Sequence, residues 1–520
     1  MSYLEIAILV IFVWITGMIL ARPYINKSKH FQTLGGVILL VKVTKNRRIL
    51  DRIANLSQSK TFSRFSIVLV YFLLISGLIL LVFGTVISFT VHAALPLNEY
   101  LALPGINPDI PITYGLVAFA VSIVIHEMFH GIVARKHGIK VTSVGVMFFV
   151  VPIGAFVEPD EKEITEADPV VRRRIVAAGI AVNLVIAIFA FIIASLVLSH
   201  AAVQAVPGSY IDEIMENSTL KNLKITGQEI TGFGNVTGNS LNNLTTSSYL
   251  EPGHLYNMTV YDGKGFHTYT APAGVEVASL INGYPAQKAG IPSGGFIISI
   301  NNETAYNEMT IETILNGIKP GTNITIAMET FSYVSGNFVG TNTTYHLETV
   351  STYTFYHQYY PTLANSTQKN ESFVGVTTVY SGLGLIPIYY LKSIVFGDSA
   401  YTGGFTGILQ TIALPLEGLS PIPASFTALF TVPFGASVFW PTVNLVYWFY
   451  WVNILLAITN ALPLAIFDGA QFFRDTLMIA GRHKRLSYLS KEENIAKVLS
   501  FMSVLVFFML MVEIIVPRII

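Results

Sequence analysis

The stretch SIVIHEMFHGIVAR, residues 122–135, sets His126, Glu127 and His130 inside an otherwise apolar run. On a helix, positions i and i+4 share a face, so both imidazoles can aim at one point while Glu127 projects beside them. HExxH is the spacing by which two histidines bind Zn²⁺ and the adjacent glutamate serves as general base. Chance would produce it somewhere in a chain of this length with a probability on the order of a few per cent. An ionisable side chain near the bilayer centre costs roughly 2.5–3.5 kcal/mol on insertion scales and persists mainly where it is used. The plainer explanation, three polar side chains satisfied by neighbouring helices, is the weaker one.

Catalytic zinc usually has three protein ligands and one open position for water. A third ligand must therefore come from elsewhere. His137 follows Arg135 and Lys136 and belongs in the headgroup zone, too far along for the same ion. Few acids lie in the other apolar segments, and the one that stands out is Asp468 in NILLAITNALPLAIFDGAQFF. Pro463, five residues earlier, breaks the helix there and leaves backbone groups that must be satisfied within protein. An ordinary helix-terminal acid ahead of Gly469 is the alternative for Asp468.

These residues need elements to position them. The chain has 520 residues, 52% apolar and 12% charged, with a mean hydropathy of +0.58, which marks a polytopic membrane protein. No cysteine is present, so disulfides, iron–sulfur clusters and thiolate zinc sites are excluded together. Apolar runs long enough to span occur near 3–21, 65–89, 112–134, 175–198, 442–464 and 498–516, about six in all. The first lacks the basic start and small-residue cleavage site of a signal peptide and is expected to be retained.

The loop 22–64 carries ten Lys or Arg against one acid, Asp51, and is expected on the cytoplasmic side by the positive-inside rule. Alternation then puts the N-terminus and residues 200–380 outside, the latter with six Lys, no Arg and thirteen acids. It also lets the HEMFH span and the span ending at Asp468 run in the same direction and reach the same depth. Residues 200–380 are rich in Asn, Thr, Gly and Tyr, with period-two stretches such as NITIAMET, which predicts a β-rich extracytoplasmic domain. Nine N-x-S/T triplets begin there, at Asn217, Asn235, Asn243, Asn257, Asn302, Asn323, Asn342, Asn365 and Asn370. The predicted organisation is an N-terminal membrane region (1–199), this domain (200–380) between the fourth and fifth spans, and a C-terminal membrane region (381–520). LGGVILLVKV (34–43) reads as a strand or a dipping segment. Residues 141–161 read as a hairpin at the cytosolic face, and 381–437 as interfacial or re-entrant helices, with one further helical pair possible.

Taken together, HEMFH (126–130) and NALPLAIFDG (460–469) resemble the site-2 protease family of intramembrane zinc metalloproteases, and the order of parts is similar too. The resemblance implies one Zn²⁺ per chain held by His126, His130 and Asp468, with Glu127 taking a proton from the attacking water. It implies substrate positioning by Asn460 and Asn183, with interhelical hydrogen bonding and helix packing as their alternatives. It also gives IGAFVEPDE, with Gly154 and Phe156, the part of a hairpin that lines the substrate by strand addition; the family's paired glycine is Gly154-Ala155 here. GVEVASLINGYPAQKAGIPSGGFIISINNE (274–303) resembles the core of a PDZ domain, although its usual Gly-Asp is Gly294-Gly295. Such a domain would grip a peptide, or act as a plug that limits access by size.

The expected partners are a membrane-protein substrate with a transmembrane segment, the lipid bilayer and a peptide ligand of the PDZ-like domain; nothing points to nucleic acid. The expected activity is zinc-dependent hydrolysis of peptide bonds within or near membrane segments at the cytoplasmic side of a cell membrane. A zinc-containing receptor or scaffold that binds peptides without cutting them is the alternative. A metal or ion transporter would need polar lining spread over several spans, and the other spans are nearly bare.

Overall fold

A computed structural model of the chain describes residues 3–25, 27–28, 30–43, 59–90, 96–100, 104–105, 107–247, 250–334, 336–361, 363–398, 403–416 and 418–519. Much of the basic loop, residues 44–58, lies outside the described residues. The chain forms two compact units, Met1–Val197 with Pro415–Glu417 and Pro441–Ile520, and Leu198–Leu414 with Gly418–Trp440.

The first unit is helical. Its helices are α1 (Tyr3–Ile25), α2 (Ser59–Ile87), α3 (Ile112–Lys136), α4 (Pro169–Ile192), α5 (Ala436–Ala461), α6 (Asp468–Ala480) and α7 (Glu492–Ile519). Among the described residues five helices are long and apolar enough to cross a membrane, within α2, α3, α4 with its continuation to Ala201, α5 and α7. For the expected sixth, α1, side chains are described only from Leu9 onward, and that part, Leu9–Ile25, is an apolar helix. Small residues let α4 sit at the centre: Ala177, Ala178 and Ile180 are fully buried, packed with Val70, Leu73, Ala457 and Phe472 or with Val133 and Ala134.

Both ambiguous apolar stretches on this unit are strands. β1 (Phe31–Leu34), β2 (Ile38–Val43), β3 (Val141–Phe149) and β4 (Val151–Pro159) form one antiparallel sheet in the order β1-β2-β3-β4. Val144 and Val157 turn one face onto the α3–α4 core. β4 is an edge strand, so half of its backbone donors and acceptors have no strand partner.

An ion pair fixes α6 against α4. Arg172 donates to Asp475 at 2.7 and 3.1 Å and to the carbonyls of Thr165 and Ala167 at 3.0 Å each. The two side chains are 12% and 1% exposed. Removing one partner of such a pair leaves an uncompensated buried charge. Arg172→Ala is therefore expected to cost about 3–5 kcal/mol, measured as a lowered thermal unfolding midpoint in detergent. Replacing both residues, Arg172→Met with Asp475→Leu, should recover most of the loss.

The second unit contains two sheets of one design. In the first part run β5 (Ser209–Ile214), β6 (Glu229–Phe233), β7 (Leu255–Tyr261) and β8 (Phe266–Pro272), followed by β9 (Val275–Leu280), β10 (Gly295–Ile300), β11 (Asn323–Val334) and β12 (Asn337–Glu348), then β13 (Val376–Tyr380) and β14 (Leu383–Pro387). The orders are β8-β7-β6-β5-β14 and β12-β11-β10-β9-β13. Each has a two-residue strand, Val236–Thr237 or Glu303–Thr304, folded back on its β6 or β10. Each then has a helical segment, and a Pro-Gly turn at Pro252-Gly253 or Pro320-Gly321 whose glycine has φ of +82° or +83°. Residues 200–272, which gave no recognisable pattern in the sequence, thus repeat the topology of the segment that resembles a PDZ core. The unit extends past residue 380 because β14 pairs with β5. Within 381–437 the described helices are short, Ile388–Val395, Gly404–Ala413 and Ala424–Thr427, and none is long enough to span.

Candidate metal centre and active site

All three expected ligands come together inside the first unit. His126 and His130 lie in the C-terminal half of α3, one turn apart, with ring centroids 4.8 Å from each other. α5 ends at Ala461, before Pro463, and Asp468 opens α6. The break is tied down from α7, where Ser503 Oγ donates to the Pro463 carbonyl at 2.7 Å. Gly469 is required here: a Cβ would overlap the carbonyls of Ala461 and Leu462, so only glycine lets the start of α6 fold back on the end of α5.

The ligand atoms make a nearly equilateral triangle. His126 Nε2 is 2.9 Å and His130 Nε2 3.0 Å from Asp468 Oδ2, and the two nitrogens are 3.1 Å apart. Tetrahedral ligands at about 2.0–2.1 Å from one zinc lie roughly 3.3 Å from each other. His126 is 6% exposed.

The outer nitrogens decide what the inner ones offer. His130 Nδ1 lies 2.8 Å from the Ile175 carbonyl, an acceptor, so Nδ1 carries the proton and the neutral ring presents a lone pair at Nε2. His126 Nδ1 lies 3.0 Å from the Asn183 carboxamide, whose Oδ1 is buried without a partner. With that amide turned end for end, the oxygen accepts from Nδ1–H, both groups are satisfied, and His126 Nε2 also presents a lone pair. Two imidazole lone pairs and a carboxylate oxygen then face each other at about hydrogen-bond distance, an arrangement that repels unless positive charge sits among them. One proton can join only two of the three atoms. A metal ion joins all three, and two imidazoles with one carboxylate suit zinc. The residues fit the ion.

Glu127 stands beside this triangle. With His126 and His130 it forms a group whose ligand atoms lie within 4.8 Å of one another, and its carboxylate accepts the backbone N–H of Val157 on β4. Since Val157 points its N–H away from β3, alternation makes Ala155 the next residue whose N–H and C=O lie on the same free edge. Gly154 and Phe156, the expected lining residues, lie on this same strand, opposite Met147 and Gly145 of β3. The Phe156 ring lies over Gly145, with Lys42 Nζ 5.8 Å from its centroid.

Asn183, expected as a substrate-positioning residue, touches His126 and so orients that ring. Asn460 is half-buried in the last turn of α5 and is not among the groups bonded to His126, His130 or Asp468. Three features escaped sequence reasoning. Gly179 is one: a Cβ there would collide with the His130 ring, so its place in AAGIAVN is steric as well as a matter of packing. The Ile175 carbonyl is another, invisible because any residue supplies one. The last is Asn453 of α5, fully buried, which donates to Ser122 Oγ at 2.7 Å, one turn before His126. Its signal was present, as one of three asparagines, with Asn444 and Asn460, in an apolar helix.

Known proteins share this arrangement of sequence. A family model described as peptidase family M50 matches residues 114–508. An uncharacterised protein of Methanocaldococcus jannaschii is 29% identical over 167 residues, which is 31% of this chain. The match spans 44% of that relative's length.

Proposed function

The chain belongs to peptidase family M50, the site-2 protease family of metallopeptidases, and from that premise we propose that it is a zinc-dependent endopeptidase that cuts membrane proteins within or near their transmembrane segments. The observation that carries the proposal is the meeting of His126, His130 and Asp468 at 2.9–3.1 Å from segments more than 300 residues apart. Bound there, zinc would polarise the scissile carbonyl and lower the pKa of water towards neutrality.

The chain's own groups do the rest. Glu127 is placed to take the proton from the attacking water and to pass it to the leaving amine. A substrate helix must first unwind, because its carbonyls are otherwise hydrogen-bonded. The free edge of β4 offers backbone partners for an extended segment, and strand addition at Ala155, next to the Val157 N–H that Glu127 holds, brings that segment alongside Glu127. Asn183 and the Ile175 carbonyl hold the imidazoles to one tautomer throughout. The charge distribution of the loops supports an active site towards the cytoplasm, with the N-terminus and residues 200–380 on the other side. There the duplicated domain would bind peptides or limit access by size.

The test is direct. Purified protein in detergent, mixed with a single-span model substrate, should release fragments whose new ends lie in or beside the apolar segment. A chelator should stop the cutting, and zinc should restore it. A receptor or scaffold would hold the same metal and leave the substrate intact, which would refute the proposal.

A further inference from the structure

The nine N-x-S/T triplets find no use in peptidase chemistry, yet they are more numerous than chance supplies. Residues 200–380 contain 17 asparagines, and 38 of these 181 residues are Ser or Thr. At that frequency about three or four triplets are expected by chance, against nine present.

All nine of their asparagines are exposed. Six of the other eight asparagines in the segment are exposed as well, while Asn307 is buried and Asn242 half-buried, each with a bond inside the fold. Asn257, Asn323 and Asn342 sit in strands β7, β11 and β12, where residues i and i+2 share a face, so the amide and the hydroxyl two positions on point the same way. Asn365 sits in a turn with Thr367 Oγ1 donating to its Oδ1 at 2.5 Å. Asn370 and Asn217 differ. Ser372, the hydroxyl partner of Asn370, is 4% exposed and donates to the Ile318 carbonyl at 2.8 Å, and Thr219 Oγ1, the hydroxyl partner of Asn217, is buried.

We infer that Asn235, Asn243, Asn257, Asn302, Asn323, Asn342 and Asn365 are attachment sites for N-linked oligosaccharide on the extracytoplasmic face. The donor class is an oligosaccharide carried on a lipid phosphate, brought by a transferase on that side of the membrane. The carboxamide nitrogen attacks the anomeric carbon, and a C–N bond forms as the C–O bond to phosphate breaks. The lipid phosphate leaves with the electron pair, and the amide gives up one proton. Sugar is bulky and solubilising and needs a surface position, which these seven side chains have. On the edge strand β12 it would also block pairing with another chain.

The chain carries its own control. Asn26 and Asn55 begin the same triplet in the basic loop 22–64, which the charge rule puts on the opposite side of the membrane. Protein isolated from its native membranes, digested and mapped by mass spectrometry, should show sugar masses on several of the seven asparagine peptides. Asn26, Asn55, Asn217 and Asn370 should be bare. Recovery of all seven peptides unmodified would overturn the assignment, and so would sugar on Asn26 or Asn55. The outcome is independent of whether the protein cuts peptides.

Discussion

Glu127→Gln should leave the metal content and the unfolding midpoint unchanged while lowering the cleavage rate by about 10²–10⁴-fold, the usual contribution of a positioned general base. Glutamine has the same shape, and its Oε1 can still accept the Val157 N–H, so the tie between α3 and β4 is kept. It cannot accept a proton from water. The substitution therefore separates chemistry from architecture, which few changes at a buried site do. The measurement is the initial rate on a single-span substrate beside metal analysis of the same preparation. Full activity in that variant would remove Glu127 from the mechanism.

Asp468→Ala should act on the metal itself. Two imidazoles remain, and affinity should fall by more than the 10–100-fold typical of losing a residue that only supports a ligand. The aspartate also opens α6, where a negative charge is favourable by about 0.3–1 kcal/mol, so a small drop in stability accompanies the loss. The two effects are told apart by titrating metal into the variant below its unfolding midpoint. Unchanged stoichiometry and affinity would break the long-range pairing, and the zinc-dependent reading with it.

The site was legible to unequal depth. HEMFH announces itself because three polar side chains in an apolar helix need a reason, and DG after a helix-breaking proline does the same. The groups that hold the ligands were harder to see. A backbone carbonyl at residue 175 and a backbone N–H at residue 157 carry no side-chain signature, and the Arg172–Asp475 pair joins residues 303 apart. In the second unit, PAQKAG made one repeat readable. The other lacks that turn, and its likeness resides in strand order, which composition does not encode.

The closing strands of the two repeats are consecutive, β13 then β14, although the sheets they complete were begun in the opposite order. One repeat is thus nested inside the other. During synthesis β5 emerges early and must wait for β14, long after β9 to β13 have had everything they need to assemble. Closing the larger loop costs only slightly more entropy, but it keeps an unpaired strand edge open for the whole interval. A chain cut short between residues 381 and 387 would keep its inner repeat and leave the outer one unsealed.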